Sequence, residues 1–207
     1  MHTSTEPTDH RQTPPARAED QIDVLRGVPW RIYDRMVTWR GDSAGPRMAY
    51  LDGVLEIMSP TYFHEAKKSF IGRLIEAWCL DNDVEFTPVG EWTQRDETKQ
   101  AGLEPDECYI FGANLAEPTR PDVAIEVNWT SGSIDKLEIY RRLGIDEVWI
   151  WQDTVLQVHL LTNGAFEVSL VSRHLPGLPL ALLAQFLDHR TASQAIRGFR
   201  AALQSLR

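Results

Sequence analysis

The sequence has few cysteines and no long apolar run. Cys79 and Cys108 are its only cysteines, and neither belongs to a CxxC pair or lies among clustered histidines, which argues against a disulfide framework or a zinc site. We expect both to be buried free thiols. No stretch of about 18 uncharged apolar residues predicts a membrane span, and the first twenty or so residues lack the apolar run of a signal peptide. We therefore expect a cytoplasmic protein without membrane contacts.

The composition predicts one globular domain. The 207 residues are 43% hydrophobic and 25% charged, and they contain no visible internal repeat. We expect a flexible polar tail over residues 1–22 and a single domain over residues 23–207. The formal charge of -9 argues against a protein that coats nucleic acid nonspecifically. It does not exclude a metal-binding nuclease, because a bound divalent ion reverses the field of an acidic site.

The first half of the domain contains a helix, a hairpin and a longer helix. Apolar residues at helical spacing predict a short helix over residues 28–37. Two apolar segments flank Asp52 and Gly53, a dipeptide typical of a tight turn between antiparallel strands. The pair Ser59 and Pro60 ends the second strand, and an apolar stripe then predicts a helix over residues 62–80.

The second half alternates strands and helices. Residues 84–111 are rich in strands, and a strand over residues 120–128 is followed by a helix that starts in the small polar segment 130–133 and stops at Gly144. A strand over residues 147–151, further hairpins and two helices within residues 180–206 complete the chain. Because a helix joins the strands 120–128 and 147–151, we expect these strands to be parallel. The pattern predicts an α/β fold with a mixed sheet flanked by helices and antiparallel hairpins at its edges.

The strand over residues 120–128 carries charge where a core strand is normally apolar. Side chains alternate along a strand, so Asp122 and Glu126 face one side while three apolar residues face the other. Buried acids are costly unless they are paired or bind a cation. The segment therefore indicates either a metal site or an ion-pair network, with Lys136 ten residues after Glu126 as a partner.

A second acid completes the pattern. Asp106 opens one predicted strand and Glu126 lies on the next, so their carboxylates meet if these strands are neighbours. Hard oxygen ligands of this kind, completed by waters, suit Mg²⁺ or Mn²⁺. With Lys136 near the start of the following helix, the three residues fit metal-assisted phosphodiester hydrolysis. The alternative is an ion-pair network among the same residues in an inactive protein.

Five further residues are peripheral candidates. His64 and Glu65 lie in the first turn of the long helix, either near the metal or as an end-of-helix histidine and a solvated glutamate. Glu56 lies in a hairpin strand and is either a peripheral site residue or simply outward-facing. Tyr140 follows Lys136 by one helical turn and either lines the site or packs beneath it. Asp122 is either a further ligand or only a residue at the start of its strand.

The order of these motifs resembles that of the Uma2 family over about residues 28–190. The matching motifs are Leu51-Asp-Gly-Val-Leu-Glu-Ile-Met-Ser-Pro60, His64, Glu104-Pro-Asp-Glu-Cys108, Pro121-Asp-Val-Ala-Ile-Glu-Val127 and Lys136-Leu-Glu-Ile-Tyr-Arg-Arg-Leu-Gly-Ile-Asp-Glu-Val-Trp149. The resemblance implies membership of the PD-(D/E)XK nuclease superfamily and a restriction-endonuclease-like fold. It implies that Asp106 and Glu126 are metal ligands and that Lys136 is the catalytic lysine. In the superfamily the lysine stands two residues after the acid, where this chain has Asn128, so the resemblance places that role on Lys136 in the next helix.

The function that the resemblance implies is a DNA endonuclease that depends on Mg²⁺ or Mn²⁺. Two alternatives stay open at this point. One is a catalytically inactive module of the same fold that binds nucleic acid or protein, and the other is a metal-dependent hydrolase of another phosphoester. Analogy with nucleases that cut both strands suggests a homodimer.

Overall fold

The computed structural model describes residues 20–41, 43, 45–113, 118–127 and 134–206, which form two β-sheets flanked by helices. The helices are α1 (Trp30–Arg40), α2 (Tyr62–Asp81), α3 (Lys136–Leu143), α4 (Leu180–Gln185) and α5 (Ala192–Gln204). The strands are β1 (Gln21–Arg26), β2 (Arg47–Leu51), β3 (Val54–Ser59), β4 (Phe86–Pro88), β5 (Gln94–Asp96), β6 (Ala101–Leu103), β7 (Glu107–Phe111), β8 (Val123–Val127), β9 (Glu147–Gln152), β10 (Val155–Thr162) and β11 (Ala165–Ser169).

The sheets differ in the direction of their strands. One sheet has the order β1-β3-β2-β6-β5 and is antiparallel throughout. The other has the order β11-β10-β9-β8-β7-β4 and is mixed, because β8 and β9 are parallel while its other pairs are antiparallel. Helix α3 makes the crossover between β8 and β9, as expected. The predicted α/β class is confirmed, but the β2–β3 hairpin belongs to a separate sheet instead of an edge of the mixed one.

Most of the predicted elements are present, and two strands were not predicted. Strand β1 begins at Gln21, inside the segment expected to be a tail, and β6 is a short strand within the strand-rich residues 84–111. Neither strand has a clear alternating pattern, since β1 is a largely exposed edge strand and β6 has only three residues. The rest of the expected tail (residues 1–19) and the expected helix entry (residues 130–133) lie outside the described residues.

Strand β8 is buried on both faces and separates two apolar clusters. Val123, Ile125 and Val127 pack with residues of α2, whereas Ala124 packs with Ile139 of α3. The alternation expected for this strand is therefore observed, and Glu126 lies on the α3 side. Cys79 and Cys108 are buried and free as predicted. Burial raises the pKa of each thiol to about 12, so neither is a reactive thiolate at neutral pH.

Among the described residues, no helix combines the length and apolar character that crossing a lipid bilayer requires.

A buried carboxylate fixes the segment that follows the β-hairpins. Glu147, the first residue of β9, is fully buried. Its Oε1 accepts from the indole nitrogen of Trp149 at 2.7 Å, and its Oε2 accepts from the backbone nitrogens of Arg173 at 2.9 Å and His174 at 3.3 Å. This one side chain therefore ties the segment around residue 173 to the strand next to β8.

We expect Glu147→Gln to lower the free energy of unfolding by about 1–3 kcal/mol, because an amide nitrogen would face a donor and the remaining bonds would lose their charge. Urea unfolding monitored by circular dichroism measures this change. The exposed Glu167→Gln is the matched control and should stay within about 0.5 kcal/mol of the wild type. Equal stability of the two variants would contradict this role for Glu147.

Candidate active site

Asp106 is positioned by the pairing of β7 with β8. It immediately precedes β7, and its backbone nitrogen donates to the carbonyl of Ile125 at 3.1 Å. Its Oδ2 accepts from the backbone nitrogen of Val127 at 2.6 Å, so the side chain itself closes the end of the β8 ladder. The carboxylate is 1% exposed. Its position therefore follows from backbone pairing and does not depend on a flexible loop.

Glu126 lies on β8 and receives two contacts from α3. Asp135 caps this helix by accepting from the backbone nitrogen of Glu138 at 3.1 Å, which makes Lys136 the first helical residue. The Lys136 Nζ lies 2.8 Å from Glu126 Oε2, and the hydroxyl of Tyr140, one turn further, donates to Oε1. The carboxylate is 1% exposed and the Lys136 side chain 17% exposed. Tyr140 is therefore in direct contact with one of the two central carboxylates.

Asp106 also contacts two residues of the first half of the chain. His64, in the first turn of α2, places its Nε2 2.9 Å from Asp106 Oδ2. Arg47, at the start of β2, donates from Nη1 to Asp106 Oδ1 and from Nη2 to Glu65 and Glu91, each at 2.6 Å. Arg47 and Glu91 were not predicted as site residues. Their only sequence signal was a charge next to an apolar strand, which is too common to be informative.

His64 is held from its other side by Asp20. The Nδ1 of His64 lies 2.8 Å from Asp20 Oδ2, and Asp20 Oδ1 accepts from the backbone nitrogen of Thr61 at 2.7 Å. Asp20 thus fixes both the imidazole and the N-terminus of α2. Asp20 lies in the segment expected to be a polar tail and was not predicted as a site residue, because no local pattern links it to His64, 44 positions away.

The remaining candidates fall into two groups. Glu56 is buried on β3, and its charge contributes to the raised pKa of Lys136, so it lies near the central lysine. Glu65 is partly exposed and bonds to Arg47. Asp122 instead accepts from the backbone nitrogen of Phe111 at 2.8 Å, and it precedes Glu126 by four positions, which is about 13 Å along an extended chain. The structure therefore does not bring Asp122 to the other acids.

The two central carboxylates have opposite electrostatic environments. Burial alone would raise the pKa of Asp106, but its contacts with His64 and Arg47 outweigh burial and hold the pKa below its ordinary value. Burial raises the pKa of Glu126, and the charge of Asp106 adds to this rise in spite of Lys136 and Tyr140. Burial opposes the charge of Lys136 as well, but the neighbouring carboxylates raise its pKa, so it stays a cation.

The donor set fits a divalent ion that keeps most of its water. Among the described residues, no three His, Cys, Asp or Glu side chains form a ready metal cluster. Mg²⁺, however, is commonly held by one or two carboxylates together with waters and substrate phosphates. Burial and the charge of Asp106 raise the pKa of Glu126, so its negative charge is only partly compensated. A bound cation would add compensation and lower this pKa. Asp106 and Glu126 are the residues that would hold it.

The fold and this centre define an α/β protein with two buried carboxylates and a lysine at one end of a parallel strand pair. The chain belongs to the Uma2 family, whose model, described as "Putative restriction endonuclease", matches residues 30–189. A comparison with curated proteins gave no match. A crystal structure of "a putative nuclease belonging to DUF820" from Anabaena variabilis is 15% identical, with a TM-score of 0.45, and the alignment covers 78% of this chain and 96% of that one.

The two acids should respond differently to neutral isosteric substitution. Asp106→Asn leaves Arg47 and His64 without their shared anion, so we expect it to lower the free energy of unfolding by about 3–5 kcal/mol. Glu126→Gln should cost clearly less, because burial and the charge of Asp106 already raise the pKa of Glu126 and so offset part of what its contact with Lys136 contributes. Chemical unfolding of both variants tests this, and an equal loss in both would contradict it.

His64 should titrate above its ordinary range in a way that depends on Asp20. Burial opposes its protonation, but Asp106 and Asp20 outweigh burial and raise its pKa. The stabilisation from charged His64 is thus complete below about pH 6.5 and is lost as the pH rises through the folded value. Asp20→Asn should lower the His64 pKa in an NMR titration. His159, whose pKa burial lowers, is the internal control, and an unchanged His64 pKa would contradict the role of Asp20.

Proposed function

We propose that this protein is a DNA endonuclease that hydrolyses phosphodiester bonds with Mg²⁺ or Mn²⁺. The single observation that carries the proposal is the convergence of Asp106, Glu126 and Lys136 at one end of β8. Membership of a family described as "Putative restriction endonuclease" supports it. DNA as the substrate, a homodimer and a cytoplasmic location are parts of the same proposal.

Lys136 supplies a fixed positive charge to the reaction. Its raised pKa keeps it protonated at neutral pH, so it does not act as a general base. Its side chain donates to Glu126 and remains partly open to solvent, where a substrate phosphate approaches. From this position the ammonium group orients the attacking water and stabilises the negative charge that develops on the phosphate oxygens.

Glu126 is oriented before any substrate binds. Lys136 and Tyr140 each contact one of its two oxygens. Tyr140 is itself fully buried in the apolar cluster that contains Ala124 and Ile139. Such packing limits the freedom of the carboxylate, which is what a ligand for a weakly held ion needs. A bound Mg²⁺ or Mn²⁺ supplies Lewis-acid activation of the phosphate and lowers the pKa of water.

The second candidate function is a binding module without catalysis. It is favoured by one observation, that both oxygens of Asp106 already have partners in Arg47, His64 and the backbone of Val127. Such saturation is what a structural ion-pair network would show. A binding module does not explain why Lys136 is partly exposed beside Glu126 or why the pKa of Glu126 is raised. We therefore rank this function second.

Nicking of supercoiled plasmid tests the proposal. Wild-type protein should nick in Mg²⁺ or Mn²⁺ and stop in EDTA, and Glu126→Gln and Lys136→Met should each reduce the rate by about 10²–10³ because a transition-state contact is removed. Glu167→Gln and Lys99→Met are the matched controls, since both residues are exposed, and they should keep the wild-type rate.

The outcomes separate the candidate functions. Equal nicking by the wild type and Glu126→Gln would refute the site. Absence of nicking, with metal-dependent cleavage of a small phosphodiester such as bis(p-nitrophenyl) phosphate, would point to a hydrolase of another phosphoester. Absence of both activities, together with tight retention of DNA, would favour the binding module.

A further inference from the structure

Arg47 occupies the position on Asp106 that a metal ion would need. Asp106 Oδ2 already accepts from the backbone nitrogen of Val127 at 2.6 Å and lies 2.9 Å from His64 Nε2. Oδ1 is therefore the oxygen left for an ion, and the Nη1 of Arg47 donates to it. This placement makes the guanidinium a direct competitor for the same oxygen.

Arg47 has a second anchorage that does not depend on Asp106. Its Nη2 donates to Glu65 and to Glu91, each at 2.6 Å. Lys68 holds these two carboxylates in place, at 2.9 Å from Glu65 and 2.7 Å from Glu91. A guanidinium anchored in this way keeps its counter-ions when its bond to Asp106 breaks.

Two features lower the cost of breaking that bond. The Nε of Arg47 is buried and has no hydrogen-bond partner among the described residues, so a rotation of the guanidinium sacrifices no bond there. His64 Nε2 lies 3.0 Å from the Nη1 of Arg47 and keeps its own contact with Asp106 Oδ2 at 2.9 Å. Asp106 therefore retains His64 as a partner when Arg47 moves away from Oδ1.

We propose that Arg47 is an internal counter-ion of Asp106 in the metal-free protein. A divalent ion displaces it from Asp106, and Arg47 then remains bound to Glu65 and Glu91. This inference rests on the proposed function, because it concerns the metal site assigned there. Arg47 acts through Asp106 and is therefore a positioning residue. It makes metal binding an exchange of one cation for another within a preformed site.

The test is calorimetric titration of the full chain with MnCl₂, which needs no substrate. Arg47→Met should bind Mn²⁺ about tenfold or more tightly than the wild type, because a unit charge within hydrogen-bond reach of the ligand is removed. A merely structural role predicts the opposite sign. Lys67→Met is the matched control, since Lys67 precedes Lys68 on α2 but pairs with Asp188, and it should stay within about twofold.

A second variant keeps Arg47 and tests the same exchange if Arg47→Met fails to fold. Glu91→Gln removes part of the alternative anchorage, strengthens the hold of Arg47 on Asp106 and should weaken Mn²⁺ binding. Glu107→Gln has the same change of charge next to Asp106 and should weaken binding less. Equal effects of the two glutamate variants, or unchanged or weaker binding by folded Arg47→Met, would overturn the inference.

Glu126→Gln separates this inference from the proposed function. If Mn²⁺ binding by the wild type survives in Glu126→Gln, the assigned metal site is wrong. If binding is lost in Glu126→Gln but Arg47→Met gains nothing, the metal site stands and the role of Arg47 is refuted.

Discussion

The burial of two carboxylates on neighbouring strands is the constraint on which the rest of this structure depends. Asp106 and Glu126 are each 1% exposed, and neither is stable in such a position without partners. The antiparallel pairing of β7 with β8 sets where they lie, and the crossover through α3 brings Lys136 and Tyr140 onto Glu126. The fold is thus organised around the need to compensate these charges.

The two carboxylates are compensated to different degrees, and this difference is relevant to the proposed metal site. Asp106 is held by Arg47 and His64, and its pKa is lowered, whereas the pKa of Glu126 is raised in spite of its two partners. A centre built only for stability would more often use apolar side chains of similar size. A cation beside Glu126 would lower its raised pKa, which is why we infer that this carboxylate is a metal ligand.

Much of this centre is predictable from sequence, and the rest is not, for identifiable reasons. Strand β8 has an alternating pattern that places Glu126 on one face, and the motif order identifies Asp106 and Lys136. Arg47, Asp20 and Glu91 reach the site through contacts between residues 44 to 59 positions apart, which leave no local periodicity. The assignment of the β2–β3 hairpin to a second sheet is likewise a matter of long-range pairing.

The most direct test of the central claim is the anomalous difference map of crystals of this protein grown with Mn²⁺. We expect a peak at coordination distance from both Asp106 and Glu126, with Arg47 withdrawn from Asp106. A map without density at that position, in which Arg47 still contacts Asp106 at saturating Mn²⁺, would contradict the claim and leave the carboxylates as parts of an ion-pair network.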